Sequence, residues 1–116
     1  MKKFIAGLAL LGLAGVAQAE LTSSVYEGLR KGSKLDKHSA EMYIGGVGKG
    51  YLQANASLSL AKQPLLFCFD GDYTTKQFAE LADKQLKVMH KQFPGDNAIP
   101  MEIALLLKLQ EMHPCK

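Results

Sequence analysis

The chain is 116 residues long, 47% hydrophobic and 22% charged, with a formal net charge of +3, two cysteines and no tryptophan. That length holds one small domain beside any leader, and the modest charge, with no interleaving of basic and aromatic residues, gives no footprint for nucleic acid. The two cysteines lack a CxxC spacing and the three histidines are scattered, which argues against a metal or redox centre.

The first residues read as a leader. Lys2-Lys3 is a basic n-region, Phe4 to Val16 an apolar Leu/Ala/Gly-rich core, and Ala17-Gln18-Ala19 a small-x-small cleavage site before Glu20. This pattern predicts a cleavable secretory signal peptide over residues 1–19, too short and wrongly flanked to span a membrane. No cysteine stands at the junction, so no lipid anchor is expected. Cleavage would leave residues 20–116 as a single domain. Lys2 and Lys3 would leave with the leader, so twelve basic residues would face eleven acidic ones, close to neutrality. Two cysteines in an exported chain predict one disulfide, Cys68–Cys115. The pair is separated by 47 positions, and a closed loop of that size constrains the unfolded chain by roughly 4 kcal/mol.

In chain order, 20–34 predicts a short first helix, with Thr22 or Ser23 as cap and Val25, Tyr26 and Leu29 on one face. Asp36 opens a long second helix. Ala40, Ile44, Val47, Tyr51, Ala54 and Leu58 recur in steps of three and four, a seam against a partner helix. Its middle reads Gly45-Gly46-Val47-Gly48-Lys49-Gly50. Four glycines there cost a helix roughly 3–4 kcal/mol relative to alanine, so something must compensate. Gly46 and Gly50, at i and i+4, are the positions expected to let another helix approach. A phosphate cradle ending in Lys49 is rejected, because no strand precedes it and the glycine spacing is wrong. Asn55-Ala56-Ser57 is a chance glycosylation sequon in a helix.

Pro64 is expected to stop that helix, and the apolar Leu65–Phe69 run to be an extended segment without a strand partner. Asp70-Gly71-Asp72-Tyr73 reads as a turn, lacking the further ligands of a calcium loop. Thr74 and Gln77 form a capping box for a third helix over 75–92, with Phe78, Leu81, Ala82, Leu86, Met89 and Phe93 as its buried stripe. Glu80–Lys84 and Asp83–Lys87 are spaced as surface ion pairs. Pro94-Gly95-Asp96-Asn97 is the next turn, and Asp96 or Asn97 caps a fourth helix with Pro100 in its first turn. There Ile99, Ile103, Ala104, Leu106, Leu107 and Met112 are predicted as core, and Leu105 and Leu109 widen the apolar arc beyond one face. Such a helix is either deeply buried or covered by a second surface, in a homodimer or by a partner protein. The reading is therefore an all-α bundle of about four helices, stapled by one disulfide. No catalytic constellation, cofactor or metal is expected, since no Ser/His/Asp or Cys/His arrangement is visible. A non-enzymatic binding protein follows.

Several motifs then carry a resemblance. Tyr43-Ile44-Gly45-Gly46-Val47-Gly48-Lys49-Gly50, Cys68 followed by Thr74-Thr75-Lys76-Gln77, Phe93-Pro94 with Pro100 and Ala104, and the closing Met112-His113-Pro114-Cys115 together resemble the Rap/Tai immunity proteins, from about residue 40 to the end. Phe69, Asp70 and Lys49 depart from the family's usual Ile, Pro and Asp, and a further cysteine common near the long helix is missing. The resemblance implies an all-helical periplasmic protein that binds a peptidoglycan amidase effector of a type VI secretion system and blocks its cleft. It also implies a homodimer with an intramolecular disulfide. The exposed turns are the protrusions on offer, so Asp70, Asp72, Tyr73, Gly95, Asp96 and Asn97 are the partner-binding candidates. Two alternatives stand beside it: a small periplasmic chaperone or stress protein, and a family member without a toxin partner.

Overall fold

The computed structural model describes residues 21–116; the expected signal peptide over residues 1–19 lies outside the described residues. Four helices carry the fold: α1 (Ser23–Arg30), α2 (Lys34–Leu60), α3 (Thr75–Gln92) and α4 (Met101–Met112). The class is all-α, as the periodicity predicts. The described residues hold no strand, only an isolated antiparallel bridge between Thr22 and Pro100. No helix among them is long and apolar enough to cross a membrane. α2 packs on all three other helices, and α3 packs on both α2 and α4.

Local chemistry sets most helix ends. Ser33, not Asp36, caps α2: its hydroxyl accepts from Asp36 N at 3.2 Å, and Asp36 Oδ2 accepts from Ser33 N at 3.1 Å. The same reciprocal box, Thr74 with Gln77, starts α3 as expected. α2 ends before Pro64 is reached. Lys62 adopts a left-handed φ of 56°, Lys62 N donates to Ser59 O at 3.1 Å, and Gln63 N donates to Leu58 O at 2.8 Å. That pair of bonds is a Schellman stop.

The starts of α1 and α4 solve their orphan-donor problem together. Ser23 N donates to Ile99 O at 2.8 Å, Ser24 N to Asn97 O at 3.1 Å, and Met101 N to Leu21 O at 3.0 Å. The Ser23 hydroxyl, fully buried, accepts from Ile99 N at 3.2 Å. This clip delays α4 to Met101, so Asp96 and Asn97 do not cap it. It also fixes the rotation of α4. Met101, Ala104, Leu105 and Leu109 are fully buried, whereas Ile103, Leu107 and Met112 are exposed. Ile99 and Ala104 are buried as expected and Leu106 packs against the core, but the expected Ile103, Leu107 and Met112 face outward, because a segment apolar on nearly every side carries no face of its own. Val25 and Phe93, also expected inside, are exposed as well.

The glycines of α2 correct another expectation. Gly46 and Gly50 have nothing within 4 Å of where a Cβ would stand. The close approach falls at Gly45 and Gly48. A Cβ at Gly45 would lie 2.6 Å from Thr75 Cβ and 2.9 Å from its Cα, and one at Gly48 would lie 2.5 Å from the Phe78 ring. These two glycines admit the first turn of α3 against α2. Further along α2, Asn55 is buried, donates to Phe67 O at 2.9 Å and accepts from Leu66 N at 2.8 Å. It thereby holds the extended 65–69 segment, which has no strand to pair with.

On the opposite flank, Tyr26 is fully buried and donates to Asp83 Oδ1 at 2.7 Å, while Arg30 Nη2 donates to Asp83 Oδ2 at 2.6 Å. Asp83 is thus tied to α1 rather than to Lys87 on its own helix.

Candidate functional site

The disulfide end gathers three of the six nominated residues, Asp70, Asp72 and Tyr73. Cys68 and Cys115 are bonded, with Cα atoms 4.9 Å apart, and Cys68 N donates to His113 O at 2.8 Å. These two links lay the C-terminal tail across the start of the 69–74 loop. The Phe69 ring then stacks on His113 at 4.2 Å and on Tyr73 at 4.8 Å between centroids. Tyr73 OH and His113 Nε2 are 2.6 Å apart, and Tyr73 meets the buried Phe78 edge-on at 5.4 Å. From the other side comes Lys49, the residue after Gly48. Its ammonium donates to Asp72 Oδ1 at 2.6 Å and to Tyr73 O at 2.8 Å, and lies 5.9 Å over the Phe78 ring. Asp72 Oδ1 also accepts from Tyr73 N at 2.7 Å. The Lys49 ammonium, and after it the Tyr73 N–H, hold the Asp72 carboxyl below the usual carboxylate range.

The candidates therefore divide by role. Asp72 and Tyr73 are engaged in holding the loop. Asp70 is exposed and makes no ion pair or hydrogen bond among the described residues, and Gly71 beside it is exposed too. A pocket of about 300 Å³ adjoins Asp70, lined by Leu52, Ala56, Leu65 and Phe69 with Ser59. Apolar walls next to one free carboxylate suit a side chain with an aliphatic stem and a cationic head.

Gly95, Asp96 and Asn97 lie elsewhere. Gly95 takes a φ of +84°, Asp96 Oδ1 accepts from Ala98 N at 3.0 Å, and the Asn97 carbonyl accepts from α1. This turn follows the C-terminal end of α3, while the Asp70 loop precedes its N-terminal end. The 18 residues of α3 separate the two by ~27 Å at 1.5 Å per residue. They are two separate features, not one protrusion.

Sequence reasoning missed Lys49, Phe69 and His113 as parts of this end. Lys49 and Asp72 are 23 positions apart, and Tyr73 and His113 are 40 apart, beyond the reach of any periodic signal. The near-terminal Pro-Cys gave the one hint, since a disulfide there must bring His113 to the neighbours of Cys68. At this end the two sulfurs are bonded to each other, and His113 Nε2 is occupied by Tyr73. Among the described residues no group of three or more His, Cys, Asp and Glu could hold a metal ion. Comparison with family models, with curated proteins and with solved structures finds no match to this chain.

Proposed function

We propose that the chain is an exported, periplasmic inhibitor that binds a secreted peptidoglycan amidase effector of a type VI secretion system and occludes its cleft without catalysis. The observation that carries this reading is the Asp70-Gly71 tip, held between a disulfide two residues before it and the Lys49–Asp72 bridge just after it. A loop already ordered in the free protein loses little freedom on docking, and rigid protrusions inhibit clefts for that reason. The helical class, the disulfide and the resemblance to Rap/Tai proteins agree with it.

The test is co-purification with, and inhibition of, amidase effectors encoded near the gene. Stoichiometric inhibition of one effector is expected, weakened at least tenfold by Asp70→Lys and left unchanged by Asp96→Lys. Failure to bind or inhibit any neighbouring effector overturns the reading. A periplasmic chaperone is the second reading, favoured by the exposed apolar pair Ile103 and Leu107, one turn apart on one face of α4. It requires that several unrelated clients be kept from aggregating, whereas an immunity protein ignores them. The same face is where a second copy would pack in a homodimer, and Leu107→Glu would then leave a monomer in light scattering.

A further inference from the structure

Away from the disulfide end, α1, the first turns of α2 and the outer face of α3 enclose an open pocket of about 470 Å³, within the range of small-molecule sites. Its acidic groups are already engaged. Both Asp83 oxygens accept from Arg30, at 2.6 and 3.3 Å, and Oδ1 accepts from Tyr26 as well. Glu27 Oε1 lies 2.8 Å from His90 Nε2. Arg30 also has Glu41 at 3.9 Å.

Three ammonium groups remain on the lining: Lys31 at the end of α1, Lys37 in the first turns of α2 and Lys87 on α3. None of them has an ion-pair or hydrogen-bond partner among the described side chains. The lining sets Arg30, Lys31, Lys37 and Lys87 against Glu27 and Asp83, an excess of two positive charges with His90 neutral; the chain from residue 20 onward is close to neutral, so this excess is a local concentration of charge, not a consequence of a basic protein.

We propose that this pocket binds a compact phosphate-bearing anion. Three separate ammonium donors match the several oxygens and multiple charges of a phosphate group, whereas a single carboxylate would leave charge unneutralised. The Arg30–Asp83–Tyr26 network behind them is fixed, and the three lysines, all exposed, line the pocket from around that frame. This site is independent of the inhibitor reading and lies on residues that reading does not use.

The probe is inorganic pyrophosphate, titrated into the disulfide-bonded chain at constant ionic strength and followed by calorimetry and amide NMR shifts. Phosphatidylglycerol vesicles, against phosphatidylcholine vesicles, form the second arm. Each exposed ion contact contributes a factor of about two to five, so Lys31→Gln/Lys37→Gln/Lys87→Gln together should weaken binding roughly tenfold or more. The charge-matched control Lys62→Gln/Lys76→Gln/Lys116→Gln should change it less than twofold. Pyrophosphate binding with that lysine dependence assigns a soluble phosphate ligand. Capture by phosphatidylglycerol vesicles alone, with the same dependence, assigns the phosphate to a lipid headgroup. Binding in neither arm, or equal losses in the two triple variants, overturns the proposal.

Discussion

Four glycines in one helix should respond to alanine with opposite signs. In an exposed helix interior Gly→Ala stabilises by about 0.8–1 kcal/mol, because the unfolded chain loses freedom and the helix gains a good former. Gly46 and Gly50 have open space where a Cβ would stand, so each should yield that full gain. Gly48 should not. The added methyl would come within 2.5 Å of a Phe78 ring that is 0% exposed and has Tyr73 packed on its edge. Overpacking of that kind costs about 1–3 kcal/mol, which outweighs or cancels the propensity gain. Gly45 is worse placed, since the methyl meets the backbone of Thr75 at 2.9 Å, and the whole first turn of α3 must move to make room. The assay is urea unfolding of the four single variants, followed by circular dichroism. With a slope of about 1–3 kcal/mol per M, a 1 kcal/mol change moves the midpoint by roughly 0.3–1 M. Midpoints should rise for Gly46→Ala and Gly50→Ala and fall for Gly45→Ala, with Gly48→Ala at or below wild type. If Gly48→Ala stabilises as much as Gly46→Ala, the close packing of α3 on α2 is refuted.

Two further outcomes follow from the same contacts. Cys68→Ala/Cys115→Ala should lower the unfolding free energy by up to ~4 kcal/mol, and a reductant should bring wild type to the same urea midpoint; a wild type indifferent to reductant would contradict the staple. Tyr26 has its hydroxyl pKa raised, first by burial and then by the Asp83 hydrogen bond, and burial raises Tyr51 in the same direction. A raised folded pKa gives stability that is present below about pH 10, the unfolded tyrosine value, and is lost as pH climbs beyond it. Tyr26→Phe should therefore flatten the fall in stability between pH 10 and 11, while costing about 1–3 kcal/mol at pH 7 by removing a donor from Asp83. An unchanged alkaline slope would show that Tyr26 is not the buried hydroxyl that matters.

What the sequence disclosed depended on whether the information was local. The α3 stripe from Phe78 to Met89 and its Thr74–Gln77 box are readable because polar and apolar residues alternate with the helical period. On α4 the run Ile103-Ala104-Leu105-Leu106-Leu107 is apolar at every position, so no moment points inward. Its rotation is set by Ser23 and Leu21 bonding to residues about 76–80 positions away, contacts no window contains. The glycines lie between these extremes. Their presence announced a close approach, and the spacing Ala40, Ile44, Gly48 already placed Gly48 on the buried face. Reading the i, i+4 pair Gly46 and Gly50 as the contact ignored that phase. The candidate site was legible as a turn between a cysteine and a capped helix. It was not legible as a held loop, because Lys49 and His113 arrive from distant parts of the chain.

The disulfide does more at this end than close a long loop. Cys115 fixes the tail, the tail carries His113, and His113 occupies both the Phe69 face and the Tyr73 hydroxyl. Phe69 and Tyr73 in turn bracket the Asp70-Gly71 tip. Reduction would remove one of the two clamps on that tip and leave the Lys49–Asp72 bridge, which is exposed and screened by salt. Ordering a freed side chain on docking costs about 0.5–1.5 kcal/mol, so releasing Phe69, Tyr73 and His113 together would cost any partner seated on the tip a factor of about ten or more in affinity. Oxidation of the two cysteines therefore couples the stability of the bundle to the shape of the loop it presents. A partner that reads that shape should bind the oxidised chain and discriminate against the reduced one, most sharply at high salt, where the remaining bridge is weakest.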